Sequence, residues 1–240
     1  MFSYDAQIAA AVRNAAQSIP EVLDTMRTIE RLCPDADGLK WFNWLYLHVT
    51  EAVKARIDAG DFSDAAWMAE LDVKFANLYF GALAGYLAQD TCPDCWRALF
   101  SVRNDLRIAR IQFAMAGVNA HINHDLAEAI VATCAAHGMA PEHACAQYRD
   151  YTDLNSTLDS MIDKAEAELQ VRLAGDALPA VNHLEYALAA WGTAAAREQA
   201  WNNSEMLWQI RNSPAIRDGF LGTLDGLASF AGRTLLAPVP

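Results

Sequence analysis

The residues best placed to do chemistry stand in one run, Gly117-Val118-Asn119-Ala120-His121-Ile122-Asn123-His124-Asp125-Leu126. On a helix, His121 and His124 (i, i+3) and His121 and Asp125 (i, i+4) project from one face within about 6 Å of one another. Two imidazoles beside a carboxylate suit one divalent cation, zinc, iron or manganese, because neutral imidazole nitrogen and carboxylate oxygen are the usual ligands of these ions. His121, His124 and Asp125 are therefore the expected metal ligands, with His124 also able to serve as a base. The plainer alternative is an ordinary His121–Asp125 pair with His124 at a solvated edge. Three ionisable groups and two asparagines crowd into positions 119–125, which favours a site facing an interior polar pocket, with Asn119 and Asn123 as substrate contacts.

Other contributors are expected where a polar residue replaces an apolar one in the helical pattern. Asp72 shares a stripe with Met68, Phe75 and Tyr79, and a buried carboxylate must find a cation, a metal or a donor. It is a candidate catalytic acid, unless it pairs with Lys74, Arg103 or Arg107. Asp150 is a second catalytic candidate and Asn155 a substrate contact, near a helix irregularity where capping explains them equally well. His48 follows Trp41 and Trp44, which places an imidazole beside an aromatic wall completed by Trp67 and Tyr79; a core histidine bonded to a backbone carbonyl is the alternative. His183 and Glu185 lie two apart and share no helix face. Cys92-Pro93-Asp94-Cys95 has the spacing of a redox pair at a helix start, but without the strand setting of thioredoxin-like proteins. Cys134, His137, His143 and Cys145 could ligate zinc, although their spacing is not that of a standard pair of chelating hooks.

The elements that must carry these groups all read as helices. The pattern repeats at three and four residues, and no run of alternating β-branched residues is bounded by turns. Helices are expected over about 5–17, from a Ser18 cap to Cys33, over 39–59 with a stop at Gly60, and after a Ser63 cap through Tyr79. A short helix should carry Trp96 and Phe100 and a long one should run over 106–136. Further helices are expected from Pro141 to about Leu173, from Pro179 to about Asn212 and from Pro214 onward. An all-α, bundle-like fold in one domain spanning 1–240 follows.

Composition narrows the function classes. Of 240 residues 53% are hydrophobic and 20% charged, and the formal charge is −12, so a phosphate backbone or an anionic membrane is repelled rather than attracted. A small-molecule ligand is the expected partner, with no nucleic acid and no membrane. No secretory signal is visible at Met1-Phe2-Ser3-Tyr4-Asp5, and the odd number of cysteines, 5, suits reduced thiols, so a cytoplasmic location is expected. No nucleotide cofactor is indicated.

The stretch 119–126, followed by Asp150-Tyr151 and Asn155 with Leu158, resembles the bacterial family known as domain of unknown function 5995. Trp41-Phe42-Asn43-Trp44-Leu45-Tyr46-Leu47-His48 and the helix from Trp67-Met68 to Tyr79 fit it as well, so that the resemblance spans about Gly38 to Met161. It implies a helical fold and a shared polar centre, and carries no activity. The order His48, His124-Asp125, Asp153 is superficially similar to that of helical phosphohydrolases, but Leu126-Ala127-Glu128 stands where their glycine and lysine follow. Three functions are thus expected to compete. One is a metal-dependent enzyme of hydrolase or oxygenase type acting on an apolar or aromatic substrate. The others are a metal-free acid–base enzyme (isomerase or cyclase) or ligand-binding module, and a structural or interaction protein.

Overall fold

The computed structural model describes residues 2–161, 164 and 192–238, and among these every regular element is helical. In chain order they are α1 (Asp5–Ala11), α2 (Ile19–Leu32), α3 (Gly38–Ala59), α4 (Ala65–Leu87), α5 (Asp94–Ser101) and α6 (Arg110–Ala120). A π-helical turn (His121–Asp125) joins α6 to α7 (Leu126–Ala136), and α8 (Ala146–Asp153), α9 (Thr193–Ile210) and α10 (Pro214–Leu235) follow. Among the described residues no helix is long and apolar enough to cross a membrane.

Local chemistry sets most boundaries. Ser18 caps α2 by accepting the Glu21 amide, with Pro20 in the first turn, where a missing N–H costs nothing. Asp37 caps α3 and Gly60 ends it at φ 76°, a left-handed conformation that costs glycine nothing. The cap of α4 is Asp64, which accepts from Trp67 N, rather than Ser63. The expected first helix stops early, at Ala11, because Asn77 of α4 takes both the N–H and the C=O of Ala16 (2.8 and 2.9 Å) and holds that segment out of helix. The long helix begins at Arg110 rather than 106, since Asp105 closes a turn by accepting from Arg107 N and giving its carbonyl to Ile108 N. The segment from Pro141 becomes helical only at Ala146 and turns at Leu154, with residues 155–161 helical again. The stretch toward Leu173, the start at Pro179, and His183 and Glu185 lie outside the described residues.

α6 packs on α3 and α10, α7 on α4 and α9, and α5 on α10. One buried apolar cluster gathers α1, α2, α3, α5 and α6; a second gathers the start of α4, α7, α8 and α9. The π turn lies where the two meet. On the far side, Arg103 is buried against Asp5 and Asp37 (2.9 and 2.6 Å), tying α1 and the cap of α3 to the end of α5. The approach of α6 to α3 depends on Gly117: a Cβ there would lie 2.3 Å from Cγ of Phe42. Gly117→Ala is expected to lower stability by about 1–3 kcal/mol, because the ring root must shift within a close-packed core. Denaturant unfolding checks this, and an unchanged midpoint would contradict it.

Candidate active site at the π turn

Asp125 is the centre of the arrangement. It is 2% exposed, and its Oδ2 accepts from His121 Nδ1 (2.9 Å) and Trp96 Nε1 (3.0 Å) while its Oδ1 accepts from His124 Nδ1 (2.7 Å). The π turn, closed by Leu126 N–H donating to the His121 carbonyl, sets the residues so that one carboxylate serves both rings. Such turns inside α-helices recur at functional sites. Burial alone would raise the Asp125 pKa, but the two imidazole hydrogen bonds outweigh it and hold the carboxyl below its usual range. His121 moves down, because burial outweighs the attraction of Asp125. For His124 burial also pulls down, yet the Asp125 bond and the surrounding carboxylates overcome it and raise its pKa. At neutral pH, then, His121 is a neutral ring with its proton on Nδ1.

His121 is 3% exposed. Its ring stacks on Phe75 (3.4 Å between centroids) and meets the edges of Tyr46, Phe42 and Trp96. It lines a cavity of about 90 Å³ whose walls are the Phe42, Tyr46, Val49 and Val53 stripe of α3, the Met68, Leu71, Asp72 and Phe75 stripe of α4, and Val118, Ile122 and Leu126. Three buried polar atoms of these walls have no hydrogen-bond partner among the described residues: His121 Nε2, Asp72 Oδ2 and Tyr46 Oη. The cations weighed for Asp72 are taken elsewhere: Lys74 by Glu70, Arg103 by Asp5 and Asp37, Arg107 by Asp105. Burial pushes the Asp72 carboxyl up to about 7. Arg197 also lines the cavity, held by Asn155 Oδ1 and the Tyr151 carbonyl (2.7 Å each).

The remaining sequence candidates are placed as follows. The expected polar pocket is instead a mainly apolar cavity, and His121, His124 and Asp125 do not converge on one point in it: both Nδ1 atoms and both Asp125 oxygens are spent on each other. Asp150 is not at the cavity; its carboxylate accepts from Ser63 N and Asp64 N (3.0 and 2.7 Å) and organises the start of α4. Trp41 gives its Nε1–H to the Asp35 carbonyl and lies under Arg110. Trp44 meets His48 at a tilt (4.6 Å between centroids), and His48 Nδ1 donates to the Trp44 carbonyl (2.8 Å), so this pair lies off the cavity and His48, half-buried, takes the backbone-bonded role. Tyr79 sits behind His121 and reaches Asn43 (3.4 Å). Asn119 donates to the Ala228 carbonyl (2.7 Å) and accepts from Asn123 (3.0 Å), so both anchor α10 rather than face the cavity. Asn155 acts through Arg197. Asp153 is exposed and gives its carbonyl to Arg56, which leaves the phosphohydrolase order without a shared centre.

The cysteine patterns do not behave as expected of reactive sites. Burial pushes Cys92 up to about 11 and Cys95 higher still, the opposite of a thiol activated for exchange. His137 bonds Glu70, His143 bonds Glu198 and Glu205, and Cys145 accepts the Tyr148 amide, so Cys134, His137, His143 and Cys145 do not form one site. Tyr46, Phe75, Trp96 and Arg197 are neighbours of the His121–Asp125 pair or its cavity that sequence reasoning did not select. For Tyr46 and Phe75 the signal was present, as the i, i+4 partners of Phe42 and Leu71.

Among known sequences, the pattern described as "Family of unknown function (DUF5995)" matches residues 19–238. No curated protein and no solved structure matches the chain.

Proposed function

We propose, from the premise that this chain belongs to the DUF5995 family, whose description assigns no activity, that it is an acid–base enzyme moving protons on a small, apolar carbonyl compound. The observation that carries the reading is one cavity lined by two complementary unpartnered groups: the basic Nε2 of a neutral His121 and the carboxyl of Asp72, protonated below about pH 7. Unpaired buried polar atoms cost stability, and a substrate that pairs both would repay that cost.

In the step so derived, His121 Nε2 takes a proton from the carbon beside the carbonyl while Asp72 gives its proton to the carbonyl oxygen, producing an enol. Return of a proton to the same carbon, as Asp72 recovers its own from the enol oxygen, regenerates the ketone and completes exchange. Asp125 holds the imidazole in the required tautomer and steadies the imidazolium that forms. A metal-dependent version at the same cavity is less well supported: burial holds the Tyr46 phenol protonated, so His121 Nε2 and Asp72 supply two donors where a catalytic ion takes three from the protein.

The test is deuterium exchange at the α-carbons of 2-butanone in D₂O, followed by proton NMR. The wild-type chain is expected to exceed His121→Gln and Asp72→Asn by about 10²-fold or more, the usual contribution of one positioned acid or base. Exchange no faster than with the two variants would overturn the proposal, and saturable binding of the ketone without exchange would make the cavity a ligand-binding site.

A further inference from the structure

We propose a second, metal-binding centre in which Cys95, His124 and Asp225 hold one zinc ion, on the side of Asp125 turned away from the cavity. The three come from separate elements, the first turn of α5, the π turn and the middle of α10. One donor atom from each lies within 4.8 Å of the other two. That convergence is what a cation needs, and His124 lies 29 positions after Cys95 and 101 before Asp225, so helical spacing does not bring them together.

Each donor is already oriented. His124 Nδ1 is spent on Asp125 Oδ1 at 2.7 Å, which leaves Nε2 as the nitrogen for a metal. A carboxylate behind the ring is the support that metal-binding histidines regularly have. Asp225 is fixed by the amides of the α5 start, Oδ2 accepting from Asp94 N (2.9 Å) and Oδ1 from Cys95 N (2.8 Å). Each oxygen keeps a further lone pair. Cys95 is buried, whereas His124 and Asp225 are part-exposed, so the site has a protected thiol and an open approach for the ion.

The ligand chemistry selects the ion. Sulfur, nitrogen and oxygen donors together suit zinc, while magnesium and calcium take oxygen alone. A thiolate and a carboxylate balance the two positive charges of the ion, and binding displaces the thiol proton. Three protein ligands leave a fourth position for water, the arrangement of zinc sites that act on a ligand. This centre uses neither His121 nor Asp72, so it stands or falls apart from the acid–base reading.

Untagged full-length protein, freed of metal by chelator and dialysed, decides it by calorimetric titration with Zn²⁺ and optical titration with Co²⁺. The expected result is one ion per chain and, with cobalt, a thiolate-to-metal charge-transfer band. Cys95→Ser should abolish that band, and Asp225→Asn and His124→Gln should each weaken zinc at least 100-fold. Asp125→Asn should weaken it 10- to 100-fold through the lost support of His124. Absence of stoichiometric zinc in the wild-type chain, or of the thiolate band with cobalt, overturns the proposal without reliance on any variant, and so does undiminished zinc binding by Cys95→Ser. Ketone exchange that persists in the metal-free protein leaves the acid–base reading intact whichever way the zinc result falls.

Discussion

Asp125→Ala is expected to destabilise the fold by about 3–5 kcal/mol, the range for removing one partner of a buried charged network. The carboxylate accepts from Trp96, His121 and His124 at 3.0, 2.9 and 2.7 Å, and alanine leaves all three donors facing a cavity. Because the Asp125 pKa is depressed in the folded chain, its contribution is present above the ordinary carboxylate value and is lost as pH falls below it. Asp125→Asn should lie between wild type and alanine: it retains the volume and one acceptor, but its NH₂ meets an imidazole N–H and forces one ring to change tautomer. Urea unfolding at pH 7 gives the ranking directly. A loss under about 1 kcal/mol for alanine would mean that the carboxylate does not anchor the π turn.

Asp72→Asn should act in the opposite direction and only at higher pH. The folded chain holds the Asp72 proton up to about pH 7, whereas an unfolded carboxyl releases it near its ordinary value. Between those two values the folded state binds more protons, so stability falls as pH rises and is fully retained below the unfolded value. A rise of this size corresponds to roughly 4 kcal/mol lost by pH 8. Asparagine carries no charge to bury, so the variant should match wild type at pH 4 and melt several degrees higher at pH 8 while losing ketone exchange. A wild-type melting temperature that does not fall between pH 4 and pH 8 would show that Asp72 finds a partner in solution.

The contrast between Asp72 and Asp150 shows how far the sequence is legible. Both are carboxylates buried among apolar neighbours, and both satisfy the rule that a polar residue in an apolar stripe needs a reason. Asp150 finds two backbone amides at the start of α4; Asp72 finds none. Which backbone N–H groups come near is settled by packing between distant segments, and no local pattern carries it. The same holds for α3, where Trp41 through Leu47 are all buried. A helix buried all round has no polar face to betray its orientation, so the sequence points to the Trp41, Trp44, His48 stripe as the wall, whereas the Phe42, Tyr46, Val49 stripe lines the cavity. The all-α class and the closeness of His121, His124 and Asp125 were readable because they depend on periods of three and four residues. The π turn was not, since its longer hydrogen bond depends on which neighbours the side chains meet.

One carboxylate stands behind two rings, and each ring belongs to a different one of the two proposed sites. Occupancy at either therefore changes how much negative charge Asp125 can lend to the other. Zinc on His124 would add positive charge beside Asp125, which would alter the field felt by His121; a ligand that protonates His121 would draw on the same anion. Thermodynamic linkage then requires reciprocity: by whatever factor zinc alters the affinity of the cavity for its ligand, that ligand alters the affinity for zinc by the same factor. The π turn would be an allosteric coupler only 5 residues long, carrying a signal between two compartments without any helix having to move.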